Sequence, residues 1–158
     1  MTHRAVSALR ASALAGTILL ASGCASLFSP VQTDYATDSG DGVPLSIVGL
    51  DLRGLAVVVP AQGGTGIVVG QAVNRSTSAV DVTFAVQGAP TPATVAVPAS
   101  SGRTLSDAAT GVEIPGIPVA PGTMVLMTVT TAEAGANVVN VPVLVNDGYY
   151  SQLTATSS

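Results

Sequence analysis

The 158-residue chain is long enough for one domain and little more, and 47% hydrophobic with 9% charged residues is the balance of a folded core, not of a disordered chain. Its five basic residues are all arginines set against nine acids, which excludes the Lys/Arg clusters that nucleic acid or an anionic lipid surface would need. The apolar fraction is mostly valine and alanine, with 3% aromatics and no tryptophan, a composition that favours pleated sheets.

The first segment, MTHRAVSALRASALAGTILLASGC, opens with Arg4 and Arg10. It runs through a short apolar stretch and ends in Ala21-Ser22-Gly23 before Cys24. That order of parts is the grammar of an export signal, and the stretch is too short to span a bilayer comfortably. Leu20-Ala21-Ser22-Gly23-Cys24 resembles the lipobox of bacterial lipoproteins, with Ala21 where leucine is commoner. The resemblance implies cleavage between Gly23 and Cys24, a thioether-linked diacylglycerol on Cys24, and residence on the outer face of the cell membrane. The residue type suits that chemistry, because thiolate is the strongest side-chain nucleophile near neutral pH. At ~0.8 kcal/mol per buried CH₂, two acyl chains hold stably where one is marginal. Behind Cys24, Arg53, Arg75 and Arg103 remain against the nine acids, a net charge of about −6. The single cysteine leaves no internal disulfide to help the domain fold.

The next stretch, ASLFSPVQTDYATDSGDGVP, is small, polar and acidic without sustained periodicity and reads as a tether. As a flexible coil of about 20 residues it would let a domain stand on the order of 25 Å from the bilayer. Asp34, Asp38 and Asp41 lie near Gly40 and Gly42, but their spacing lacks the alternating oxygen ligands and later glutamate of a calcium loop. The expected organisation is a signal peptide over 1–23, lipidated cysteine and tether over 24–44, a β domain over 45–147 and a C-terminal tail over 148–158.

From Pro44 onward, short valine-rich runs alternate with Gly, Pro, Asn and Ser. PLSIVGLDLRGLAVVVP supplies one or two strands, and GIVVGQAVN another, with the glycine-rich AQGGTG between them as a hairpin turn. AVDVTFAV alternates cleanly, with Val80, Val82, Phe84 and Val86 on one face and Asp81 and Thr83 on the other. ATVAV follows, RTLSDAATG offers at most a helical turn, and GVEIPGIPVAPG leads to TMVLMTVTT through Ala120-Pro121-Gly122-Thr123, which suits a type II turn. In NVVNVPVLVN, Val139, Val141, Val143 and Val145 line one face, and Pro142 predicts an edge or bulged strand. About seven to eight short strands without a long helix predict an all-β fold, an immunoglobulin-like antiparallel β-sandwich, with a closed barrel as the alternative.

GLAVVVP…GIVVGQAVNRS, IPGIPVAPGTMVLMTV and VNVPVLV together resemble a set of small actinobacterial lipoproteins of poorly known function. More distantly the chain resembles periplasmic copper chaperones with a cupredoxin-like sandwich, which bind copper through paired His and Met residues. Here the only histidine is His3, so that copper site does not carry over. Met124 and Met127 are three apart in a strand and point to opposite faces, so they do not jointly clasp one ion without a bulge.

Beyond Cys24 the sequence has neither His nor Lys, which removes Ser-His-Asp and Cys-His catalysis and the usual zinc ligands. Paired carboxylates remain conceivable, for example Asp107 with Glu113, but both fall in loop-like sequence and nothing places them across a cleft. Of the aromatics, Phe28, Tyr35, Phe84, Tyr149 and Tyr150, only the Tyr149-Tyr150 pair offers a contact patch, with a lid on the end of the sandwich as its plainer role. The sequence thus predicts a lipid-anchored, non-catalytic envelope protein without cofactor, held by membrane lipid and contacting an unknown envelope protein. A metal-handling lipoprotein is the alternative.

Overall fold

A computed structural model describes residues 41–107 and 109–155. Nine strands follow one another: β1 (Val43–Ile47), β2 (Leu50–Val59), β3 (Gly66–Asn74), β4 (Val80–Val86), β5 (Ala93–Val97), β6 (Gly102–Thr104), β7 (Val112–Ile114), β8 (Met124–Thr131) and β9 (Gly135–Val145). A short 3-10 turn, Gly148–Tyr150, follows. The strands hydrogen-bond in the order β5-β4-β8-β9-β2-β3-β6, with β1 added to β2 and β7 added to β3.

The all-β expectation holds, but the antiparallel sandwich of seven to eight strands is corrected. The nine strands form one mixed sheet that curls into a nearly closed barrel. The cause is β9. Its residues 135–142 pair antiparallel with β8, and Val143–Val145 then pair parallel with Val57–Val59 of β2. One 11-residue strand therefore belongs to both halves. Pro142 sits opposite Met124, just before β2 joins as the second partner. Val143 donates its N–H to the Thr123 carbonyl and accepts from Gly122 N–H on the β8 side. By alternation, the missing N–H of Pro142 points away from β8, so the ladder loses nothing there. The strand expected at an edge or a bulge is thus central.

The interior is filled by Leu50, Leu52, Phe84, Leu105, Ile114, Ile117 and Met127, with valines from β2, β4, β5, β8 and β9. In β4 the expected alternation appears, with Val82, Phe84 and Val86 buried and Asp81 exposed. β2 behaves differently, because Leu55 to Val59 are all buried. Leu55, Val57 and Val59 face the interior, whereas Ala56 and Val58 pack with Val69 on the outside, under Leu144, Tyr150 and Leu153. Residues beyond Asp147 therefore fold back over the outer face of β2 and β3. The Asn146 side-chain amide fixes them by donating to the Leu153 carbonyl at 2.8 Å.

Local turn chemistry explains the connections. AQGGTG is the β2–β3 hairpin loop, and its Gly63 N–H donates to Ile117 O at 2.7 Å, while Ile117 N–H returns a bond to Gly64 O. Gly122 has φ +85°, as a type II turn requires at that position, and Thr123 Oγ1 donates to Ala120 O at 2.7 Å. RTLSDAATG contributes β6 and an Asx turn instead of a helical turn: Asp107 Oδ1 accepts from Ala109 N–H at 2.9 Å.

Candidate functional site

Gly23 and Cys24, with Asp34 and Asp38, lie outside the described residues. Asp41 is described, and it accepts a hydrogen bond from Tyr150 Oη at 3.3 Å. Among the described residues no group of three His, Cys, Asp or Glu side chains is placed to hold a metal ion. Met127 is fully buried in the core while Met124 is 48% exposed, so the two sulfurs lie on opposite faces of β8. Asp107 and Glu113 both line a small cavity of about 110 Å³ beside Gln152. A hydrolytic carboxyl pair needs one member raised to act as acid. Asp107 is instead lowered below its ordinary value, chiefly by the Ala109 N–H and with help from the Thr110 hydroxyl.

The barrel's open seam lies between β5 and β7, where a groove of about 590 Å³ runs past Val95, Arg103 and Glu113. Arg103 spans it, donating to Ala96 O at 2.8 Å and to Thr110 O at 2.9 Å. Its planar fork satisfies one carbonyl on the free edge of β5 and one in the loop beyond β6.

The outer face of β5, β4, β8 and β9 has a different character. Cross-strand pairs place Met124 opposite Pro142, Leu126 opposite Asn140, Thr128 opposite Val138 and Thr83 opposite Thr130. Leu126 is 43% and Val138 63% exposed. Asp81 is the one charged side chain that these four strands place on that face. Leu126 and Val138 are not among the sequence-predicted site residues, although their signal is present. In MVLMTV both strand phases are apolar, one carrying Val125, Met127 and Val129 and the other Met124 and Leu126. A strand needs only one apolar phase to reach the core.

Tyr149 and Tyr150 part company. Tyr150 packs against the outer cluster over β2 and β3, so it covers a face of the sheet and not the end of a sandwich as expected. Tyr149 is 82% exposed, edge-on to Tyr150 with centroids 5.1 Å apart. Burial raises the Tyr150 phenol above its ordinary value, and the Asp41 carboxylate adds to the rise.

The class defined by this architecture is a small all-β, barrel-like domain. Two solved structures similar to it are the apo PCuAC domain from PmoF1 (TM-score 0.51, 16% identity, 64% of this chain and 98% of that one) and the apo PmoF2 PCuAC domain (TM-score 0.51, 17% identity, 67% and 98%). A copper-bound PCuAC domain from PmoF2 matches at TM-score 0.49 and 17% identity, over 65% of this chain and 98% of that one. No protein-family model matches the chain, and no curated protein matches it in sequence.

Proposed function

We propose that this protein is exported, anchored by a Cys24 diacylglyceryl group to the outer face of the cell membrane, and uses its β domain to contact another envelope protein without catalysis. The observation that carries the contact is the outer face of β4, β5, β8 and β9, which displays Met124, Leu126 and Val138 beside a single charged side chain, Asp81. Exposed, weakly charged apolar surface of this kind is what protein interfaces bury. The anchor reading rests on Leu20-Ala21-Ser22-Gly23-Cys24 and its resemblance to a lipobox. The wider resemblance to actinobacterial lipoproteins supports the same reading.

A photo-crosslinking residue at position 128, in cells making the full chain, tests the contact. It should yield one discrete adduct with an envelope protein, and Leu126→Lys with Val138→Glu should remove that adduct. An adduct that survives the double substitution would count against the face. In the same cells a fatty-acid analogue should label the wild type and leave Cys24→Ser unlabelled.

The PCuAC-like fold supports a second reading, copper handling, with the exposed Met124 thioether as the ligand within reach. Copper(I) titration of the full chain separates the two. The first reading expects no binding at micromolar concentration, and micromolar binding lost in Met124→Ala would reverse the order.

A further inference from the structure

On the opposite side of the barrel, we propose that the cleft beside Tyr149 is a binding site for a neutral saccharide. The cleft holds about 400 Å³ and is lined by Asp41, Gly54, Thr104, Ser106, Tyr149 and Tyr150, among others. That volume falls within the roughly 300–1,000 Å³ of small-molecule sites. Its walls divide the chemistry as a sugar does, between apolar C–H faces and hydroxyls.

Tyr149 is 82% exposed, so its aromatic surface is available to a ligand. Tyr150 braces it edge-on at 84° while its own ring is packed on the barrel. A rigid aromatic platform of this kind buries area against a ring at little entropic cost. Asp41 spends one oxygen, Oδ2, on the Tyr150 hydroxyl at 3.3 Å, and among the described residues Oδ1 has no partner, which leaves it to accept from a sugar hydroxyl. The hydroxyls of Thr104 and Ser106 have no intramolecular hydrogen bond among the described residues, and each can both donate and accept. The floor is open at Gly54, where an added Cβ would meet no atom within 4 Å. Among the described residues no basic side chain lines the cleft, and Asp41 gives it negative charge, which disfavours phosphorylated or acidic sugars.

The chain has no tryptophan, and Tyr149 and Tyr150 are two of its three tyrosines, so a ligand-induced change in its intrinsic emission reports chiefly on the platform. The full chain would be titrated with glucose, galactose, mannose, arabinose, maltose and trehalose, and with glucose 6-phosphate. At least one neutral sugar should give a saturable change with a dissociation constant on the order of millimolar or tighter. Tyr149→Ala should weaken it by roughly tenfold or more, Asp41→Asn by about tenfold, and Tyr149→Phe by no more than about threefold. Calorimetry would follow binding where a tyrosine is lost. Silence across all six neutral sugars, equal binding by Tyr149→Ala, or preference for the phosphorylated sugar would each overturn the proposal.

Discussion

Replacing Asn74 by aspartate should cost the domain about 3–5 kcal/mol at neutral pH, the range for an uncompensated buried charge. Asn74 ends β3 and is 1% exposed. The two hydrogens of its Nδ2 are shared among the carbonyls of Ser78 at 2.8 Å, Pro98 at 3.0 Å and Val97 at 3.1 Å. Its Oδ1 accepts from Ser76 N–H at 2.8 Å and from Ser76 Oγ at 2.7 Å. Its main-chain N–H donates to Ser101 O. One side chain thus ties the end of β3 to the end of β5 across the barrel's open side. Aspartate keeps the two bonds from Ser76 but turns an acceptor oxygen toward three carbonyls. Both burial and those carbonyls raise its folded-state pKa above the ordinary value of about 3.9. With the folded pKa raised, the deficit is smallest below the unfolded value and grows as pH climbs through the folded one. Urea unfolding at pH 4 and pH 7 should therefore show a larger loss at pH 7. Asn74→Leu, which strands the same carbonyls without adding charge, should cost about 2–4 kcal/mol, with no such pH dependence of its own. Since whole domains are stable by only about 5–15 kcal/mol, an aspartate variant within about 1 kcal/mol of wild type would refute the assignment of Asn74 as the tie.

How much of this was legible depends on how many faces a strand buries. In β4 one face is solvated, so Val80-Asp81-Val82-Thr83-Phe84 announces both strand and orientation. In β2 both faces are covered, the outer one by Tyr150 and Leu153, so LAVVV loses its alternation and its outward residues cannot be read from pattern. β6 and β7 have three residues each, too few for any period to emerge. The mixed topology was hidden for a deeper reason: side-chain alternation reports the face of a strand, never its neighbour. Nothing in NVPVLV says that Val143, still hydrogen-bonded on the β8 side, also takes a parallel partner in β2. Pro142 even argued for an edge, because a rule about ladder hydrogen bonds does not foresee a strand that gains a second neighbour just past the proline. Site residues divide along the same line. The opposed methionines followed from spacing alone. The contact between Tyr150 and Asp41 spans 109 positions and had no local signal. Asn74 stood in polar NRSTS, where an asparagine reads as a turn residue and its burial is invisible.

The second large effect is expected at Gly70, where alanine should cost about 3 kcal/mol or more. The register between β2 and β3 shifts between Arg53 and Ala56, a bulge centred on Gly54. Gly54 has φ +62°, the left-handed well, and a Cβ there would point into open space. Gly54→Ala therefore pays only the backbone penalty, about 1–2 kcal/mol. Gly70 lies across from it on β3 with φ +126°, beyond that well, and its Cβ would stand 2.6 Å from Arg53 O and 2.9 Å from Gly54 O. Both obstacles are backbone carbonyls, so no rotamer change relieves them. Relief would require β2 and β3 to separate at the bulge, and Gly70 O also accepts the Leu105 N–H at 2.9 Å, which anchors the fully buried Leu105 behind β6. The two variants thus separate strain from collision: chemical denaturation should rank Gly70→Ala well below Gly54→Ala. Equal losses would mean that β2 and β3 part freely, and that the bulge does not hold the sheet's curvature. Because Gly54 and Gly70 also line the cleft beside Tyr149, a separation of the strands would be felt there first. Gly70→Ala should disturb the tyrosine emission even where Gly54→Ala leaves it unchanged.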